Sequence, residues 1–275
     1  MIVPIPTLHL FESLDDQLIA LLKSLQPEDW NKPTLAKLWT VKDIAAHLLD
    51  GNMRTLSMLR DGYFGSKPEA INSYQDLVNY LNQLNADWVN SFKRVSPAVL
   101  IDMLERSGKE YRSVLQSLDL SAPALFAVAW AGEAESQNWF HIAREYTEKW
   151  HHQKQIREAV GVGGLMEREF YFPVIDTFMR ALPVVYQPLK ANEGDSVRVN
   201  IPGENGGSWG IRYSSTGWIR SEAHSPPVAE VELEADDAWK IFTKGLPAEK
   251  ALQRIRISGS RELGQQIVKM IAIMG

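Results

Sequence analysis

The chain has 275 residues, 45% of them hydrophobic, which is enough for two domains of ordinary size with packed cores. Its formal net charge of −5 comes without any long Lys/Arg run, which argues against a nucleic-acid partner held by bulk electrostatics and points to a small-molecule site. With no cysteine, a disulfide framework and a Cys-ligated metal are both excluded, and any thiol chemistry requires a thiol brought in as cofactor or substrate.

The opening segment MIVPIPTLHLFESLDD has no basic leader ahead of an apolar run. The longest apolar-looking stretch, 123–132, falls short of the ~18 residues of a membrane span. The expectation is a cytoplasmic protein with no membrane partner. Leu10, Leu14, Leu18, Leu21, Leu22 and Leu25 recur at helical spacing over 7–25, and Pro27 ends the pattern. After a loop carrying Trp30, Pro33 and Trp39, Thr40 with Asp43 three residues on predicts a capping-box start to a second helix, over 40–61. Its apolar face is Val41, Ile44, Ala45, Leu48, Leu56 and Leu59. His47 lies at the margin of that face, and Gly51, one turn further on, leaves room for something to approach it. A third helix is expected over 74–95. Pro97 restarts the pattern over 97–118, either as a separate helix or as a continuation across a kink. Residues 121–132 carry no readable pattern.

The stretch 139–161, WFHIAREYTEKWHHQKQIREAVG, reads as one long helix with Gly161 at its C-cap. Along it His141, Glu145, Glu148 and His152 follow at steps of four, three and four, in a single narrow stripe. Glu148 and His152 are one turn apart, a spacing at which a carboxylate oxygen and an imidazole nitrogen can close on the same divalent ion. A third ligand has to come from elsewhere, and His47 is the best candidate. Neutral imidazole and carboxylate suit zinc or a similar ion, and three protein ligands leave a position open for water or substrate. The competing reading is that such Glu/His pairs are charge partners on a solvated helix. Ile142, Ala143, Tyr146 and Trp150, with Trp139, form an apolar stripe nearly opposite the His/Glu stripe. Either the His/Glu stripe is exposed or the helix is buried on both sides. His141 and Glu145 read as supports for the ligands or as structural residues. His151 is rotated away, toward solvent or a neighbouring helix, and His9 and His224 read as surface residues. Trp30, Trp39, Trp130 and Trp139 read as core or loop anchors rather than a substrate cage.

Gly161, Gly163 and Gly164 follow a helix rather than a strand, so they mark a domain boundary and not a dinucleotide fingerprint. Beyond them, 170–189 reads as helix interrupted by proline. Segments 196–201, 207–213, 217–222 and 229–234 read as strands with the turn spacing of an antiparallel sheet, 203–207 being a hairpin turn. A last strand over 254–258 and closing helices over 236–244 and 261–273 complete the pattern.

WTVKDIAAHLLD resembles the second helix of the DinB-like and mycothiol-dependent maleylpyruvate isomerase-like proteins, and EKWHHQKQIREAVG resembles their last bundle helix. The resemblance covers the first ~165 residues in pattern and architecture. It implies a DinB-like four-helix bundle over 1–164 whose metal ligands fall on His47, Glu148 and His152. The segments VELEADDAWKIFTKG and ISGSRELGQQIV resemble the sterol-carrier-like small antiparallel α+β domain that accompanies this family, here over 165–275, with an active cleft near the domain junction. Where many relatives carry Asp three residues after the helix histidine, this chain has Gln155, which can orient a ligand by hydrogen bonding but not as a carboxylate.

The resemblance implies a divalent-metal enzyme, zinc or nickel, that activates a low-molecular-weight thiol for transfer to, or isomerisation of, a small electrophile such as a maleylpyruvate-like acid. No separate catalytic residue is named by the sequence. A second reading is a non-catalytic protein that holds a metal in the bundle and an apolar ligand in the C-terminal domain. A third is a structural homodimer whose Trp-rich helix face is the interface.

Overall fold

The computed structural model describes residues 3–65, 71–222 and 226–274. His224 lies outside the described residues. A helical N-terminal region is followed by a small domain built on a mixed five-stranded sheet. By contacts the chain divides into two compact units, one of residues 6–122, 148–163 and 274–275, the other of 1–5, 123–147 and 164–273.

The helical unit contains α1 (Phe11–Ser24), α2 (Val41–Thr55), α3 (Tyr74–Phe92), α4 (Pro97–Gln116) and the C-terminal part of α5 (Asn138–Val160). Thr40 caps α2 as its sequence predicts: Asp43 N donates to Thr40 Oγ1 at 3.3 Å, and Thr40 N donates to Asp43 Oδ2 at 3.0 Å. The helix runs on through a wider π turn at Leu56–Arg60. Helices α3 and α4 are separate. Ser96 is extended (φ −72°, ψ 153°) and caps α4, and Pro97 stands in the first turn, where its missing N–H costs nothing. Val41, Ile44, Ala45, Leu48 and Leu49 of α2 form one buried cluster with Leu18, Leu21 and Leu22 of α1, Leu100 and Leu104 of α4, and Ile156 of α5. Trp88 on α3 ties in by donating from Nε1 to Ala46 O at 2.8 Å. Gly161 ends α5 in the left-handed conformation, φ 72°.

In the other unit the segment between α4 and α5 is held by its own polar groups. Ala124 N donates to Ser136 O at 2.7 Å and Val128 N to Ser136 Oγ at 2.9 Å. α6 (Arg168–Phe178) and α7 (Leu182–Tyr186) precede β1 (Ser196–Ile201), β2 (Gly207–Ser214), β3 (Gly217–Ser221), β4 (Ala229–Glu232) and, after α8 (Ala235–Phe242) and α9 (Ala248–Ala251), β5 (Arg256–Gly259). The strand order is β3-β2-β1-β4-β5.

The expected all-antiparallel sheet is corrected here: β4 pairs with β1 in parallel, Val199 opposite Val231. Alternation identifies a strand but not its neighbour, and the connection after β3 returns the chain to the far side of β1 instead of continuing the meander. The hairpin turn at 203–207 is as expected, since a Cβ on Gly206 would lie 1.9 Å from Ile201 O. The closing helix expected over 261–273 is shorter: α10 (Arg261–Gly264) passes into a 3₁₀ turn, Gln265–Lys269. Among the described residues no helix is long and apolar enough to cross a membrane.

Candidate metal centre

α5 is buried nearly all round, which decides between the two readings of its stripes. Ile142, Ala143, Tyr146 and Trp150 are buried, and so are His141, Lys149, His152, Gln153, Lys154 and Gln155. The apolar stripe is therefore covered within a single chain. His151, for which solvent was one option, is 1% exposed. His9 is exposed, as expected.

His47, Glu148 and His152 each offer one ligand atom, and the three atoms lie within 4.8 Å of one another. All three residues belong to the helical unit. The Thr40 cap sets the start of α2, which puts His47 two turns into the helix on the side that meets His152. The two imidazole rings are 4.7 Å apart, edge to face. His152 Nε2 stands 3.5 Å from Glu148 Oε2, while its Nδ1 is 2.9 Å from Gln155 Oε1. An amide oxygen accepts only, so Nδ1 is the nitrogen that donates to Gln155, and Nε2 is the one turned toward Glu148.

His47 Nδ1 is buried and has no hydrogen-bond partner. Burial, then the neighbouring His152 and Arg54, hold the His47 pKa well below 6.5, against the opposing pull of Glu148. Two imidazoles, one of them with a buried ring nitrogen that has no partner, and a carboxylate are the donor set a divalent ion takes, so the residues present fit one.

Trp39 closes over this group, 4.7 Å from the His47 ring and 6.0 Å from that of His152. It is fixed by the tight loop before α2: Thr34 Oγ1 donates to Trp39 O at 2.8 Å, and Trp39 N donates to Ala36 O at 2.7 Å. The sequence marked Trp39 only as an anchor, because an aromatic residue in a loop has no period to reveal what it faces.

His141 and Glu145 stand outside the group of three and converge on Arg144, whose Nη2 is 3.1 Å from His141 Nδ1 and 2.5 Å from Glu145 Oε1. Burial and the adjacent Arg144 push the His141 pKa down to about 4. The folded value lies below the ordinary 6.5, so the folded state binds fewer protons than the unfolded one. The neutral imidazole's contribution is intact above pH 6.5 and is lost as pH falls toward 4. Its ceiling is about 3 kcal/mol. Urea denaturation at pH 7 and pH 5 should show a steeper loss of stability for the wild type than for His141→Gln, and equal slopes would contradict this.

The model of the mycothiol maleylpyruvate isomerase N-terminal domain matches residues 11–157, more than half of the chain. The chain belongs to this family. Two solved structures are similar over 91% of this chain and 91% of theirs. One is a mycothiol-dependent maleylpyruvate isomerase, at 13% identity and a TM-score of 0.55. The other is a histidine-to-alanine mutant of a mycothiol-dependent maleylpyruvate isomerase, at 12% identity and a TM-score of 0.55. At such identities the likeness is one of fold, and it extends through the C-terminal domain as well as the family's helical one. A comparison with curated proteins gives no significant match.

Proposed function

We propose that this chain is a metal-dependent enzyme that uses a low-molecular-weight thiol to isomerise, or to be transferred to, a small acidic electrophile of the maleylpyruvate class. The observation that carries this reading is the convergence of ligand atoms of His47, Glu148 and His152 within 4.8 Å of one another, in a group where His47 Nδ1 is buried and has no hydrogen-bond partner. Membership of the mycothiol maleylpyruvate isomerase N-terminal domain family supports the thiol and the substrate class.

A divalent ion held there supplies a Lewis acid that brings the pKa of a bound thiol or water down toward neutrality. The chain does the rest. Burial keeps the His47 imidazole neutral and its lone pair available at physiological pH. Gln155 fixes the tautomer and the rotation of His152 by accepting from Nδ1. Trp39 walls one side of the group and limits water there.

Gln155→Ala should weaken zinc binding about 10–100-fold without unfolding the protein, read by competition with a chromogenic chelator. Unchanged affinity would show that Gln155 does not orient His152. The reading as a whole is tested by incubating metal-loaded protein with mycothiol, bacillithiol or glutathione and a panel of acidic electrophiles. Thiol-dependent turnover is expected, and its absence with every pairing would refute the enzyme.

A further inference from the structure

We propose that Arg54 anchors a carboxylate of the small molecule that binds beside His47, Glu148 and His152. This rests on the reading of that site given above and names the group its substrate presents.

His47, Asp50, Gly51 and Arg54 follow at intervals of three, one and three along α2 and so share one helix face. Gly51 interrupts that face between His47 and Arg54. A Cβ built at Gly51 meets no atom within 4 Å, so open space lies along the helix from His47 toward Arg54. The two Cα atoms are ~10 Å apart along the axis, and helical side chains lean toward the N-terminus, so the guanidinium reaches back toward the imidazole.

Arg54 is also held in a way that leaves its hydrogen-bonding fork free. Asp50 is 5% exposed, and its Oδ2 lies 2.8 Å from Arg54 Nε, a charge pair rather than an aligned hydrogen bond. Among the described residues Arg54 has no other partner, and its side chain is 41% exposed. A surface Asp/Arg pair one turn apart is ordinarily a weak solvated contact. Here the carboxylate is buried and lies on the Nε side, and among the described residues neither terminal nitrogen has a hydrogen-bond partner. A planar pair of N–H donors in that position matches a carboxylate bidentately.

The test is calorimetric titration of maleate, of its uncharged dimethyl ester, and of mercaptoacetate as a thiol that carries its own carboxylate, into zinc-loaded wild type, Arg54→Met, Arg54→Lys and Asp50→Asn, with zinc content and melting temperature measured alongside. Arg54→Met is expected to weaken maleate at least ten-fold and to leave zinc content and the response to the ester unchanged. Arg54→Lys recovers part of the loss, and Asp50→Asn, which keeps an acceptor on the Nε side, keeps maleate binding. Arg54 dependence seen only with mercaptoacetate assigns the carboxylate to the thiol instead of the electrophile.

The proposal is overturned if neither acid binds the wild type at millimolar concentration, or if Arg54→Met binds as the wild type does. It is also overturned if Arg54→Met and Asp50→Asn lose binding and melting temperature in parallel, as a pair that only holds α2 together would. A wild type that takes up no zinc removes the metal reading but not this one: the same titration in zinc-free protein then decides, by whether salt-sensitive binding is lost in Arg54→Met.

Discussion

Asp15→Ala is expected to destabilise the protein by about 3–5 kcal/mol, a cost that comes chiefly from stranding the buried Lys149 ammonium, with half-buried Arg112 losing its nearer carboxylate, rather than from losing one carboxylate. Asp15 on α1 is 8% exposed. Its Oδ1 accepts from Lys149 Nζ at 2.9 Å and its Oδ2 from Arg112 Nη1 at 3.0 Å. Lys149 is itself 6% exposed and donates a second bond, also 2.9 Å, to Asn52 Oδ1, whose amide nitrogen donates to Ser107 Oγ at 3.0 Å. The approach of Asp15 to α4 depends on Gly108, where a Cβ would stand 3.1 Å from Asp15 Oδ2. Lys149 thus ties α5 to α1 and α2 at the residue directly after Glu148, and so fixes the rotation that aims Glu148 and His152 at His47. Guanidinium denaturation should show the full loss in Asp15→Ala, while Asp15→Leu combined with Lys149→Met should recover part of it. A loss under about 1 kcal/mol in the single variant would mean that water reaches Lys149 and the network is only a solvated cluster.

The second large effect concerns turnover. If the proposed function holds, Glu148→Gln and His152→Ala each lower the thiol-dependent rate by more than the about 10–100-fold that loss of an outer partner such as Gln155 costs, because each removes a proposed donor to the ion. Fold should survive in both, since His152 contributes little to the apolar cluster around α2 and Glu148 is only half-buried. Rates within a factor of two of the wild type, with circular dichroism unchanged, would show that the chemistry does not run through this group.

Local chemistry made much of this legible. The Thr40 cap, the leucine repeat of α1, the restart of the helical pattern at Pro97 and the Glu148/His152 spacing each depend on residues within one or two turns. What escaped depends on partners far off in the chain. Asp15 and Lys149 are 134 residues apart, and nothing in the spacing of either marks a buried ion pair. The burial of α5 on every side follows from its being surrounded, so His151, for which solvent and a neighbouring helix were both open, is inside. β4 carries the right alternation for a strand, yet alternation does not say that it pairs with β1 rather than with β3. That His47, Glu148 and His152 are ligand-type groups is evident from the sequence, whereas their meeting depends on how α2 and α5 pack.

The account stands or falls on whether those three side chains hold an ion. Elemental analysis of untagged, purified wild type beside His47→Ala and His152→Ala tests this most directly. Near-stoichiometric zinc or nickel in the wild type, lost in both variants, is the predicted result. No metal in any of the three, or metal retained in both variants, would contradict it and leave the cluster a buried polar contact between two helices.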